Sequence, residues 1–331
     1  MIDSDHVKKL ARDIRTMKVR GAGKIARRAV EALKFTAEHS KARNVDQLVQ
    51  ELEKAAQTLL TTRPTAVSLP NRIRYVMHRV RAIRTGASDV DEIRRIAIQS
   101  SNEFIQNSMT AVRRIGEIGS KRIVDGDVIM THCNSTSAIA IMNSAKMNGK
   151  RINVIATESR PFRQGILTAQ ALNRLRIPVT YVVDSAMRFF MNKVDKVIVG
   201  ADAVAANGAV VNKIGTSLMA LAAHEARTQF IVAAESFKFS PETMIGELVE
   251  IEEREASEVL SKRERNRLRM TKVRNPSFDV TPPEYIDAIV TEKGVIPPQA
   301  AILMLQDLFG KLPFEELMEY RTIPRLDDEV H

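Results

Sequence analysis

The stretch VIMTHCNSTSAIAIMNSAKM (128–147) decides the fold. Its first four residues form a short apolar run, and from residue 137 Ala, Ile and Met return at three- and four-residue intervals. A buried strand therefore passes through a polar turn directly into a helix. The pattern recurs to the C-terminal side. Further apolar runs at 153–157, 179–183, 196–199, 230–233 and 288–290 alternate with helix-length segments at 165–174, 186–191 and 216–227. Such alternation predicts an α/β domain with a doubly wound, mainly parallel, Rossmann-like sheet.

On the N-terminal side the period is different. Val7, Leu10, Ala11 and Ile14 make a helical stripe, and further helices are predicted over 25–37, 45–61, 72–85 and 90–124. Two breaks interrupt them, RGAGK (20–24) and TRPTAV (62–67), where Gly and Pro free backbone groups. The expectation is an N-terminal helical domain over 1–122 and the sheet domain over 123–331. Residues 247–275 mix charges of both signs and read as exposed, helical or partly mobile.

Composition narrows the function classes. The 331 residues hold 50 Lys plus Arg against 40 Asp plus Glu, and the excess of ten lies wholly within 1–130. That excess suits a nucleic-acid backbone, a small phosphorylated ligand or simply a solvated helical surface. The basic half of the charged stretch, 262–274, is cancelled by its acidic half, which argues against nucleic acid. One Cys excludes an intrachain disulfide and fits a reducing, cytoplasmic setting. The first fifteen residues are not a signal peptide, and no run reaches the roughly 18 apolar residues of a membrane span. No metal-ligand spacing is present, and no cofactor is implied.

In an open parallel sheet ligands sit beyond the carboxyl ends of the strands. The first such turn holds His132, Cys133, Asn134, Ser135, Thr136 and Ser137. A helix start favours anions, which suits both a thiolate at Cys133 and a phosphate on Ser135, Thr136 and Ser137; helix capping explains the hydroxyls equally well. Asp202, after the 196–199 run, offers a carboxylate for proton transfer or another cap. Asn212 and Lys213 precede a Gly-containing helix start, and Lys238 brings a second ammonium to the same edge. Glu158, Arg160 and Gln164 close another strand, where Arg160 either holds a substrate oxygen or pairs with the glutamate. The spacing around Lys213 is not that of a nucleoside triphosphatase loop.

Together THCNSTSA (131–138), ATESRPFRQG (156–165), VIVGADAV (197–204), NGAVVNKIGT (207–216), AAESFKF (233–239) and NPSFDVTPPEYID (275–287) resemble a known family. It comprises the translation initiation factor 2B alpha, beta and delta subunits and a group of sugar-phosphate isomerases. RGAGKIAR (20–27) and TRPTAV (62–67) extend the resemblance over nearly the whole chain. The isomerases of that family carry the Cys and Asp found here as Cys133 and Asp202, which the regulatory subunits typically lack. The resemblance implies an enzyme that converts ribose 1,5-bisphosphate to ribulose 1,5-bisphosphate. An initiation factor 2B-like regulatory subunit and methylthioribose 1-phosphate isomerase are the alternatives. It further implies phosphate binding by Arg20 with Gly21, Ala22 and Gly23, by Arg63, and by Ser135, Thr136, Ser137, Asn212, Lys213 and Lys238, with Cys133 and Asp202 catalytic and Arg160 and Gln164 secondary. It also implies AMP as an activator within nucleotide salvage, and a homo-oligomer built on dimers, up to a hexamer.

Overall fold

The computed structural model describes residues 2–16, 18, 19, 22–62, 68–84, 89–245, 249, 251–268 and 270–309. The chain divides into two compact units, residues 1–110 and 111–308, so the boundary falls inside a long helix and not at the expected 122.

In the first unit the apolar stripes become the buried faces of α1 (Ile2–Arg15), α2 (Ala22–His39), α3 (Val45–Leu60), α4 (Ser68–Arg84) and the first part of α5 (Val90–Ser120). Val7, Leu10, Ala11 and Ile14 are all buried, as their spacing predicts. Asn44 caps α3, its side chain accepting from the Gln47 N–H at 2.9 Å. Helix α2 starts earlier than its apolar pattern, at Ala22, so Ala22 and Gly23 open a helix and do not prolong the loop.

The second unit holds a seven-stranded sheet of β1 (Val128–Thr131), β2 (Asn153–Thr157), β3 (Val179–Val182), β4 (Lys196–Gly200), β7 (Gln229–Ala233), β9 (Ala288–Thr291) and β10 (Gly294–Ile296). A second sheet holds β5 (Ala203–Val204), β6 (Val210–Lys213) and β8 (Phe278–Thr281). The large sheet runs β10-β9-β7-β4-β1-β2-β3, and β10 alone is antiparallel in it. The chain steps outward from β1 to β3, then returns to the other side of β1 as β4, and that reversal creates a switch point between β1 and β4. Helices α6 (Thr136–Met147), α7 (Gln164–Arg174), α8 (Met187–Met191) and α9 (Thr216–Ala226) fill the connections.

Sequence reading missed β5, β8 and β10. Each is short, and β8 alternates polar and apolar residues within a segment dominated by its prolines. The three-stranded sheet is antiparallel, with β6 at its centre. The charged segment 251–268 is not one helix. It forms a short turn of helix at Ala256–Glu258 and α10 (Lys262–Arg267), with Arg254 paired to Glu252 and Glu258 and lying over the Phe162 ring. A last helix, α11 (Ala301–Phe309), ends the described chain.

Ile129, Val154, Ile198, Ile231 and Val290 from the sheet pack with Ile141, Met142 and Ala145 of α6, Leu172 of α7 and Ile115 of α5. Glycines set two close approaches. A Cβ on Gly116 would lie 2.8 Å from the Ala140 carbonyl oxygen, so α5 can meet α6 only there without a side chain. A Cβ on Gly165 would lie 1.8 Å from the Thr157 carbonyl oxygen, where the first turn of α7 abuts the end of β2. Gly165→Ala is therefore expected to cost about 3 kcal/mol or more, because backbone must move. Chemical denaturation measures this, and an unchanged midpoint refutes it.

The amino ends of β1 and β4 are joined by a buried ion pair, Lys196 Nζ to Asp127 Oδ2 at 2.8 Å. Asp127 also accepts from the Val124 N–H, which compensates its carboxylate further. Among the described residues no helix is long and apolar enough to cross a membrane.

Candidate active site at the switch point

The turns after β1 and β4 flank the switch point, and they carry Cys133 and Asp202. Cys133 is half-buried with a left-handed backbone, φ +65°. A non-glycine residue held there stores strain that its surroundings must maintain. Its N–H donates to Ser159 Oγ at 2.7 Å, and its carbonyl accepts from Thr168 Oγ1 at 2.6 Å.

A helix start favours the thiolate of Cys133, and burial works against it. Burial pushes the Cys133 thiol up to about 11, and the Asp202 carboxylate adds to the rise, while Lys213 and Lys238 pull against it. Asp202, Lys213 and Lys238 are thus each within electrostatic reach of Cys133. Asp202 is half-buried, its N–H donating to the Val211 carbonyl at 2.8 Å across the small sheet.

Both lysines are buried. Lys238 donates to the Ala201 carbonyl at 2.6 Å and so braces the residue before Asp202. Lys213 lies with its ammonium 4.7 Å from the Phe278 ring centroid. Asn212 is buried and donates to Thr216 Oγ1 at 3.0 Å, which in turn donates to the Lys213 carbonyl at 2.6 Å.

The hydroxyl run divides into three roles. Ser135 caps α6, accepting from Ala138 N–H, and packs so closely on Gly200 that a Cβ there would sit 2.5 Å from its Oγ. Thr136 is exposed, and Ser137 is fully buried with its Oγ unpaired. Arg160 is exposed with its side chain reaching the Val259 carbonyl at 3.4 Å; Glu158 pairs instead with Arg163 at 2.7 Å. Gln164 opens α7, its Oε1 buried without a hydrogen-bond partner. Ala22 and Gly23 stand at the start of α2 in the helical unit, whereas Arg20, Gly21 and Arg63 lie outside the described residues.

Further residues frame the site beyond those predicted to act in it. His132 Nε2 lies 2.8 Å from the Ile214 carbonyl oxygen, which can only accept, so Nε2 carries the proton. Its Nδ1 then accepts from Thr157 Oγ1 at 2.6 Å. Burial holds the His132 pKa below the ordinary histidine value, and the ring is neutral. Asp184, after β3, accepts from the Ser159 and Arg160 N–H groups at 2.7 and 2.8 Å. It stands at a strand end, where the rule used for Cys133 and Asp202 would have found it.

Asp279 on β8 caps α9, its Oδ2 accepting from the Gly215 and Ser217 N–H groups at 2.7 and 3.1 Å. Burial pushes its carboxyl up to about 6, above the roughly 3.9 of an unfolded aspartate. The folded state binds this proton more tightly. Its stabilisation is complete below about pH 4 and is lost as pH rises through about 6. Compared with Asp279→Asn, the parent chain is expected to gain up to about 2 kcal/mol as pH falls from 7 to 4. Urea melts along the pH axis test this, and parallel curves contradict it.

The model of the initiation factor 2 subunit family matches residues 18–298. The chain belongs to the initiation factor 2 subunit family. Within that family it is 54% identical over 305 residues to the ribose 1,5-bisphosphate isomerase of Thermococcus kodakarensis, covering 92% of this chain and 95% of the relative. Its fold is similar to that of the Pyrococcus horikoshii OT3 translation initiation factor eIF-2B, with a TM-score of 0.77, 32% identity, and 89% and 98% of the two chains covered. The 5-methylthioribose 1-phosphate isomerase of the same organism gives 0.73 and 30%, with 91% and 88% covered. The family therefore spans translation factors and isomerases.

Proposed function

We propose that the chain is a ribose 1,5-bisphosphate isomerase, producing ribulose 1,5-bisphosphate. The observation that carries this reading is the pairing of Cys133 and Asp202 on the two turns that flank the switch point, with two buried ammonium groups in electrostatic reach. The extent of identity to the Thermococcus kodakarensis enzyme supports the same substrate.

The C1 phosphate ester prevents ring opening by the free hemiacetal route. A proton must reach the ring oxygen as its bond to C1 breaks, and the C2 proton must leave to give an enediol-like phosphate. Asp202 delivers the first and Cys133, as thiolate, takes the second; reprotonation at C1 and loss of the C2 hydroxyl proton complete the ketone. Lys213 and Lys238 oppose the burial of the sulfur and balance the charge of the phosphates. Asn212 and the Ser135–Ser137 turn belong with them at the carboxyl edge, where Ser135 opens α6 with its backbone N–H groups. Arg20, Gly21, Ala22, Gly23 and Arg63 supply the remaining phosphate contacts in this reading, and Arg160 and Gln164 assist.

A product assay offering ribose 1,5-bisphosphate and methylthioribose 1-phosphate side by side tests the assignment. Ketose formation from the bisphosphate alone is expected. Turnover of the thioether substrate, or none of either together with capture of initiation factor 2, overturns it. The reading extends to a homo-oligomer of dimers up to a hexamer, to AMP as activator within nucleotide salvage, and to the cytoplasm. Light scattering and the same assay with AMP added test the first two.

A further inference from the structure

Cys133 is one of five described non-glycine residues with a left-handed backbone, and two hydroxyls hold its N–H and its carbonyl. Thr168 Oγ1, on α7, donates to the Cys133 carbonyl, and Ser159 Oγ, after β2, accepts from its N–H. Both side chains are buried, Ser159 wholly and Thr168 to 1% exposure. Neither belongs to the phosphate or proton-transfer groups above. Ser159 is itself fixed, its N–H donating to Asp184 Oδ1 and its Oγ standing 3.3 Å from His132 Nδ1.

We infer that Thr168 and Ser159 are positioning residues, a two-hydroxyl clamp that keeps Cys133 left-handed and so aims its sulfur at the reacting carbon. The inference rests on the proposed isomerisation for its kinetic consequence but not for its structural one. A free residue of this type would relax to negative φ, since only the clamp offsets the steric cost. Release moves the sulfur by a fraction of its length of travel to the substrate, and misplacement of about 1 Å costs up to about a hundredfold in turnover. Substrate binding is spared, because the clamp touches no ligand.

The test exploits the fact that the chain has one cysteine, so a thiol reagent reports Cys133 alone. Thr168→Val removes the hydroxyl and keeps the shape. It is expected to lower kcat about tenfold to a hundredfold with KM within about threefold. It is also expected to move the pH midpoint of iodoacetamide alkylation down from near 11 towards the ordinary thiol value, as the sulfur escapes its buried setting. Thr168→Ser restores both. A folded Thr168→Val chain with the parent's alkylation profile overturns the clamp, whatever its turnover. If Thr168→Val fails to fold, Ser159→Ala carries the same two expectations and the same refutation. Should the parent itself not turn over ribose 1,5-bisphosphate, the isomerase assignment falls while the alkylation profiles still decide the clamp.

Discussion

Replacing Cys133 by Ser is expected to lower kcat on ribose 1,5-bisphosphate by about a hundredfold to ten-thousandfold while leaving KM within a few-fold. A serine hydroxyl occupies nearly the same space and can keep the left-handed turn and both backbone bonds, so folding is spared. What it lacks is an accessible anion. The same logic fixes the pH dependence of the parent enzyme. Burial pushes the thiol up to about 11, so from neutral pH upward each unit raises the thiolate fraction about tenfold; turnover also needs the proton on Asp202, whereas iodoacetamide alkylation of Cys133 needs the thiolate alone and rises with pH. Bound phosphates raise the thiol further and Lys213 and Lys238 offset them, so neutralising either lysine steepens the loss at pH 7. A Cys133→Ser enzyme with near-parent turnover would remove this residue from the chemistry.

Asp202→Asn is expected to cause a loss of the same order, about a hundredfold to ten-thousandfold in kcat. The amide has the carboxyl group's shape, and the backbone bond from residue 202 to the Val211 carbonyl does not depend on the side chain. Stability should therefore be unchanged in urea, and the substrate should still bind. An amide cannot release a proton to the ring oxygen, so opening of the ring becomes slow. The Cys133→Ser, Asp202→Asn double variant should be little worse than the poorer single one, because two groups acting in one proton-transfer sequence do not contribute additively. Losses that multiply would instead mean that the two residues contribute independently to one transition state.

Much of this architecture was readable because hydrophobic period is a strong signal for parallel strands and amphipathic helices. Val128–Thr131 and Asn153–Thr157 have the bounds expected of them, and the seven-stranded sheet carries all six predicted runs. The failures share a cause. β5, β8 and β10 owe their existence to partners across the fold, and no local pattern marks a two-residue strand such as Ala203–Val204. The places of the candidate residues were legible for a similar reason: strand ends are predictable, and Cys133, Asp202 and Lys238 follow β1, β4 and β7. What the sequence could not state was environment. A helix start suggests a thiolate until the surrounding protein is present to desolvate the sulfur, and Thr168 reads as one more polar residue on α7 until its hydroxyl is seen on the Cys133 carbonyl. Of the two readings of Arg160, the pairing with Glu158 fails because Arg163 takes the glutamate.

The buried Lys196–Asp127 pair lies at the amino edge of β1 and β4, the edge opposite the cysteine and the aspartate. Those two strands therefore carry their reactive groups at one end and a charge-based fastening at the other. This separation gives a protein engineer two handles that turn independently. Repacking the fastening with apolar side chains of equal volume can harden the scaffold against heat, while the chemistry, six residues further along the chain in each case, is left to be retuned on its own.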